Sequence, residues 1–180
     1  MNRDEEIRQG LRMAGVPEGV FKKTLITEDA KPLREMITGG TLVREGSTTG
    51  IFLHPAKRSE AARARTVFYL TAKEMFLSGT TVYCIPVIRL LEAMSAVDHS
   101  HETMMLERVR MVFITDFYEE GAPFPFSAAD AGRLRLWVRS RFEEGKGVSF
   151  LSDTAMAKAG AWWSEGFLGF IGGSTVTYSV

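Results

Sequence analysis

The sequence predicts an α/β domain built on a parallel sheet of about five strands. Two observations carry this reading. Apolar runs of strand length, at 50–54, 110–115 and 148–151, are continuous rather than alternating. That is the pattern of strands buried on both faces of a parallel sheet. Segments of helical periodicity stand between these runs, so strands alternate with helices, as right-handed crossovers of a parallel sheet require. The 180 residues are 45% hydrophobic and 24% charged, which is enough chain for one sizeable core.

The elements follow in order. Residues 4–14 place Ile7, Leu11 and Ala14 on one helical face, and Gly15 and Pro17 stop that helix. Leu33, Met36 and Ile37 predict a short helix after Pro32, ended by Gly39 and Gly40. A turn-rich stretch, 45–49, leads into the first strand, 50–54. The segment 59–77 carries Ala61, Ala64, Phe68, Ala72, Met75 and Phe76 on one apolar face, with Gly79 as its C-terminal stop. A second strand is expected over 81–85, and Pro86 opens a short helix over 87–94. Residues 95–107 read as a polar connection. The third strand, 110–115, ends in Asp116, and the prolines and glycine of 119–126 make a loop. Ser127 with Asp130 is a variant capping box for a helix over 128–144. The fourth strand, 148–151, ends in Ser152 and Asp153. A helix over 154–163 and a fifth strand over 175–180 complete the chain. No internal repeat or low-complexity tract interrupts it.

Lys plus Arg and Asp plus Glu both number 22, so whole-chain charge gives no argument for nucleic acid. The single cysteine, Cys84, excludes an internal disulfide, fits a reducing compartment and reads as a buried inert thiol. The polar N-terminus is not a signal peptide, and no apolar run approaches the ~18 residues of a membrane span. A cytoplasmic protein without membrane contact is expected. His54, His99 and His101 lack a third ligand nearby, so no metal site is expected, and the histidine pair reads as a solvated loop. Arg133, Arg135, Arg139 and Arg141 spread over more than one helical face and read as a solvated surface. Lys57, Arg58, Arg63 and Arg65 form a denser basic cluster that could face single-stranded nucleic acid or an acidic partner.

The turn after the first strand, Pro55-Ala56-Lys57-Arg58-Ser59, holds the position of a phosphate-binding loop. Such loops are glycine-rich and end in Lys and Ser or Thr, because backbone N–H groups must wrap the phosphate. Arg58-Ser59 imitates that final pair, yet no glycine lies between Leu53 and Gly79. With Met111 to Asp116 placed as a Walker B strand, 148–153 as a sensor 1 strand, and Ala14-Gly15-Val16-Pro17 upstream of the first strand, the chain resembles an AAA+ ATPase core. The resemblance is to the helicase loaders of the DnaC/IstB type and spans roughly residues 14–172.

The resemblance implies a three-layer P-loop NTPase-like sheet in the order 5-1-4-3-2 without a lid domain. It divides the chain into an N-terminal helical extension, 1–45, and an AAA+-like α/β core, 46–180. It makes Lys57, Arg58 and Ser59 a vestigial Walker A, Asp116 a vestigial Walker B acid and Ser152 a sensor-1-like residue. The sequence departs from the family at three points. Walker A is degenerate, Phe117 stands where an acidic residue normally follows the Walker B Asp, and no arginine lies between Thr154 and Val180. No catalytic residue and no cofactor are therefore expected. The implied function is a helicase-loader-like DNA replication protein of phage or mobile-element type with a defunct nucleotide site. It would bind a replicative helicase or another replication protein, with single-stranded DNA as a further possible partner and the oligomeric state left open. The alternatives are an active or nucleotide-gated ATPase, using ATP or ADP with Mg²⁺, and a non-enzymatic regulatory module. Ile7 and Leu11, or Trp162, Trp163, Phe167 and Phe170, are the candidate partner surfaces.

Overall fold

The computed structural model describes residues 2–25, 50–96, 101–122 and 126–180, with His101 described through its backbone alone. The expected helix at 33–37 and His99 lie outside these residues.

Five parallel strands form one sheet: β1 (Gly50–His54), β2 (Val82–Pro86), β3 (Met111–Thr115), β4 (Gly147–Leu151) and β5 (Thr175–Ser179). Their order is β2-β3-β4-β1-β5, the order expected of the AAA+ core. Successive residues of each strand alternate between two apolar layers. Ile51, Leu53, Met111 and Phe113 face one layer, while Phe52, Val112, Ile114 and Phe150 face the other. The first layer is closed by α1 (Arg3–Met13) and α2 (Ala61–Leu77). The second is closed by α3 (Val87–Ser95), α4 (His101–Arg108), α5 (Ala128–Glu143) and α6 (Glu165–Ser174). Gly50 begins β1 because β4 passes too close for a side chain. A Cβ there would lie 1.6 Å from Val148 O.

The helices follow the sequence where the apolar stripe is regular. Ala64, Phe68, Ala72 and Met75 of α2 are buried as expected. The capping box of α5 forms, with Ser127 Oγ accepting from Asp130 N–H at 3.2 Å and Ser127 N–H donating to the Asp130 carboxylate at 3.1 Å. Two stretches differ. The polar connection at 95–107 contains α4, whose turns are held by buried Leu106. The expected helix at 154–163 is a 3₁₀ turn, Met156–Ala161, and the α-helix lies beyond it at Glu165–Ser174. Four glycines give that later segment poor intrinsic propensity. Burial of Phe167, Leu168 and Ile171 against the sheet outweighs it, and Ser164 caps its start.

Both expected partner surfaces are occupied by the protein's own packing. Leu11 is 1% exposed and Ala14 is 3% exposed, and Ile7 packs against the same layer, so the stripe of α1 is a core face and not a free docking face. Trp163 and Phe167 are buried in the other layer, and Trp162 and Phe170 pack against it half-buried. Their aromatic density is core density.

Candidate functional site

In an open parallel sheet, ligands bind beyond the C-terminal strand ends where neighbouring strands send their chains to opposite faces. Here that point lies between β1 and β4. The chain leaves β1 toward α2 on one face, and leaves β4 toward α6 on the other. A cavity of about 230 Å³ opens there, lined by His54, Ala56, Arg58, Glu120, Asp153 and Lys158 among others. The turn after β1, Asp116 at the end of β3 and Ser152 at the end of β4 lie at this edge. Their bonding, however, is internal.

Two amides of the turn are bonded within the protein. Pro55 has no N–H, Ala56 N–H donates to Val180 O at 2.7 Å, and Lys57 N–H donates to Glu60 Oε2 at 3.1 Å. The Glu60 carboxylate thus accepts from an amide that, in a phosphate cradle, would point at the ligand. Ser59 is exposed.

Asp116 has φ of +56°, the left-handed region that non-glycine side chains rarely occupy. One carboxylate oxygen accepts from Arg65 Nη2 of α2 at 2.5 Å, and the other accepts from Thr115 Oγ1 at 3.1 Å. Burial works against the charge on Arg65, but the hydrogen bond and charge of Asp116 outweigh it and hold the guanidinium above its ordinary pKa. A cation from the protein itself therefore sits on the Asp116 carboxylate. Nearby Asp153 is pushed up by burial, against the pull of Arg65.

The residue after Asp116 turns inward. Phe117 is fully buried and stacks on Trp163 with centroids 4.8 Å apart and planes 8° from parallel. Trp163 Nε1–H donates to Phe117 O at 2.8 Å. The Phe117 side chain thus points into the core and not toward the sheet edge. Glu120, four residues beyond Asp116, is held by Lys158 at 2.9 Å, and that hydrogen bond lowers its pKa. Ser152 is buried, and its Oγ donates to Thr154 O at 2.8 Å, which ties it into a local turn.

The basic cluster is divided. Arg65 is committed to Asp116, and Arg63 stands 3.9 Å from Glu60. Lys57 and Arg58 are exposed and form no ion pair among the described residues. Also among the described residues, no group of three His, Cys, Asp or Glu side chains could hold a metal ion. No described helix is long and apolar enough to cross a membrane. Cys84 is buried and its thiol is pushed far up by that burial.

Arg141 departs from its expected place on a solvated surface. It is 3% exposed, and its guanidinium donates to the carbonyls of Leu106 at 2.6 Å and Val109 at 2.9 Å. Burial lowers its pKa to about 10. Helical spacing spreads four arginines around α5, and it does not reveal which one meets the C-terminal carbonyls of α4.

The sheet order and the two helical layers define a P-loop NTPase-like α/β fold, one that the chain shares with solved structures of helicase loaders. DnaI matches with a TM-score of 0.68 at 12% identity, covering 94% of this chain and 96% of its own. The DnaC helicase loader matches with a TM-score of 0.65 at 10% identity, covering 91% and 99%. The replication initiator DnaA, bound to AMPPCP and single-stranded DNA, matches with a TM-score of 0.63 at 14% identity, covering 92% of this chain and 51% of its own. The likeness is one of fold. No protein-family model matches the chain, and no curated protein matches it by sequence.

Proposed function

We propose that this chain is a helicase-loader-like DNA replication protein whose nucleotide site no longer works as an ATPase, and that it acts by binding a replicative helicase or another replication protein. The observation that carries the reading is the Arg65–Asp116 ion pair, which sets a protein cation against the acid. The bonded amides of Ala56 and Lys57 and the inward Phe117 support it. Internal contacts thereby engage three positions that hydrolysis would draw on for a phosphate cradle, a metal-holding acid and a water-orienting side chain: Lys57 N–H, Asp116 and residue 117. Fold likeness to DnaI and DnaC supports the replication role. Isothermal titration with ATP and Mg²⁺ tests the site, and no heat of binding is expected. Capture of a purified replicative helicase by the purified protein tests the role, and failure there with a silent nucleotide titration would leave the degenerate site standing and remove the loader reading.

A nucleotide-gated ATPase is the second reading. It is supported by the AMPPCP-bound state of DnaA and by the cavity beside Arg58 and Lys158. It requires Arg65 to release Asp116 on binding. A low-micromolar dissociation constant for ATP would establish it over the first reading.

A further inference from the structure

We propose that a groove beside the start of β2 docks an amphipathic helix of a partner protein, which inserts apolar side chains and sets an acidic one against Arg108. The groove holds about 260 Å³ and lies where the ends of α1, α2 and α4 meet β2. Met13, Phe76, Val82, Met105 and Val109 give it an apolar lining. The Phe76 ring rests on the bare backbone of Gly10, where a Cβ would lie 2.5 Å from its Cζ. Arg108 is the one charged side chain in the lining among the described residues. It is exposed and forms no ion pair with any of them. Six large apolar side chains are exposed among the described residues, and three gather here: Met13 at 52% in the lining, with Leu77 at 45% and Met104 at 39% each one residue from it in sequence. Apolar surface concentrated in this way marks an interaction site, and flexible methionines adapt to what is inserted between them.

Three features select the occupant. The first is that β2 cannot be extended by a partner strand. Cys84 N–H is taken by Ala14 O at 2.8 Å, and Pro86 has no N–H to offer. Contact here runs through side chains and not through main-chain pairing. The second is size, since the groove falls below the ~300–1,000 Å³ of pockets that enclose a small molecule and suits a pair of inserted side chains. A helix presents such pairs on one face, at i and i+3 or i+4. The third is charge, because Arg108 attracts an acidic residue beside that pair and repels a basic one. The groove sits at the N-terminal end of β2, whereas the turn after β1 and Asp116 lie beyond C-terminal strand ends. The inference is therefore independent of the state of the nucleotide site.

Selection of a displayed library of random helix-length peptides on the 180-residue protein tests this, with the recovered peptides then measured by fluorescence anisotropy. The expected peptides carry apolar residues at i and i+3 or i+4 with Asp or Glu beside them, and become helical on binding. Met13→Asp sets a charge in the lining and should weaken binding by about tenfold or more. Arg108→Glu should weaken it as well. A recovered peptide with its acid changed to lysine should bind the Arg108→Glu variant better than the wild type. Both side chains are exposed, so both variants should melt with the wild type. A selection that yields no binder, peptides without the paired apolar and acidic residues, or binding indifferent to Met13→Asp and Arg108→Glu overturns the proposal.

Discussion

Asp116 is held in a left-handed conformation that costs a non-glycine residue on the order of 1 kcal/mol. That turn sends Phe117 into the core and leaves the Asp116 carboxylate at the surface, where Arg65 meets it. Both partners are substantially exposed, at 45% and 40% of their side-chain area, so solvent screens the pair. A double-mutant cycle with Arg65→Ala and Asp116→Asn should therefore return a coupling of about 0.5 kcal/mol in the free energy of urea unfolding, a magnitude typical of exposed pairs. A coupling several times larger would mean that the pair carries the fold rather than merely occupying the acid. Phe117 behaves oppositely, because its ring is fully buried among Phe52, Phe150, Trp163 and Phe167. Phe117→Ala should cost about 3–5 kcal/mol by the same measurement. That position 117 lacks an acid is legible in the sequence. Where its ring goes is not, because the left-handed turn at 116 and the facing Trp163 arise only from the folded chain.

At the scale of elements, legibility followed the strength of the local signal. Gly50–His54 and the capped helix Ala128–Glu143 fall where their apolar run and their Ser127–Asp130 box put them. Helix α6 was missed because its glycines hide it, and its stability comes from Phe167, Leu168 and Ile171 meeting the sheet. Helix α1 was readable as a helix but not in its role. Periodicity reveals a stripe and cannot reveal whether that stripe meets its own domain or another. The structure seats Leu11 in the layer that also holds Leu53, Phe68 and Cys84. Leu11→Ala should consequently lower stability by about 2–5 kcal/mol and pull the melting temperature down by many degrees. Were α1 a detached docking element, the same substitution would leave the melting curve where it is.

For the whole molecule, the strand order came from resemblance to a family and not from any single residue. Topology follows from how crossovers run, and the placement of the turn, Asp116 and Ser152 at one edge follows from topology. The basic cluster tests how far such an outline carries function. Net charge is zero over the chain, and the cluster lies among acids: Glu60, Asp116, Glu120 and Asp153. Ion pairing to Asp116 withdraws Arg65, and Arg63 leans toward Glu60, so Lys57 and Arg58 are the cations with charge to offer a phosphate backbone. Each phosphate contact with a single strand contributes a slope of about −0.7 in log K against log salt, so two contacts give roughly −1.4. We expect weak binding to an oligothymidylate with a slope no steeper than this, measured by fluorescence anisotropy over a salt series. Lys57→Glu with Arg58→Glu should abolish it, while Arg65→Gln combined with Asp116→Asn should leave the slope unchanged because that pair carries no net charge. A slope several times steeper, or binding that survives reversal at both 57 and 58, would place nucleic acid on a different face and remove the turn after β1 from any role in contacting DNA.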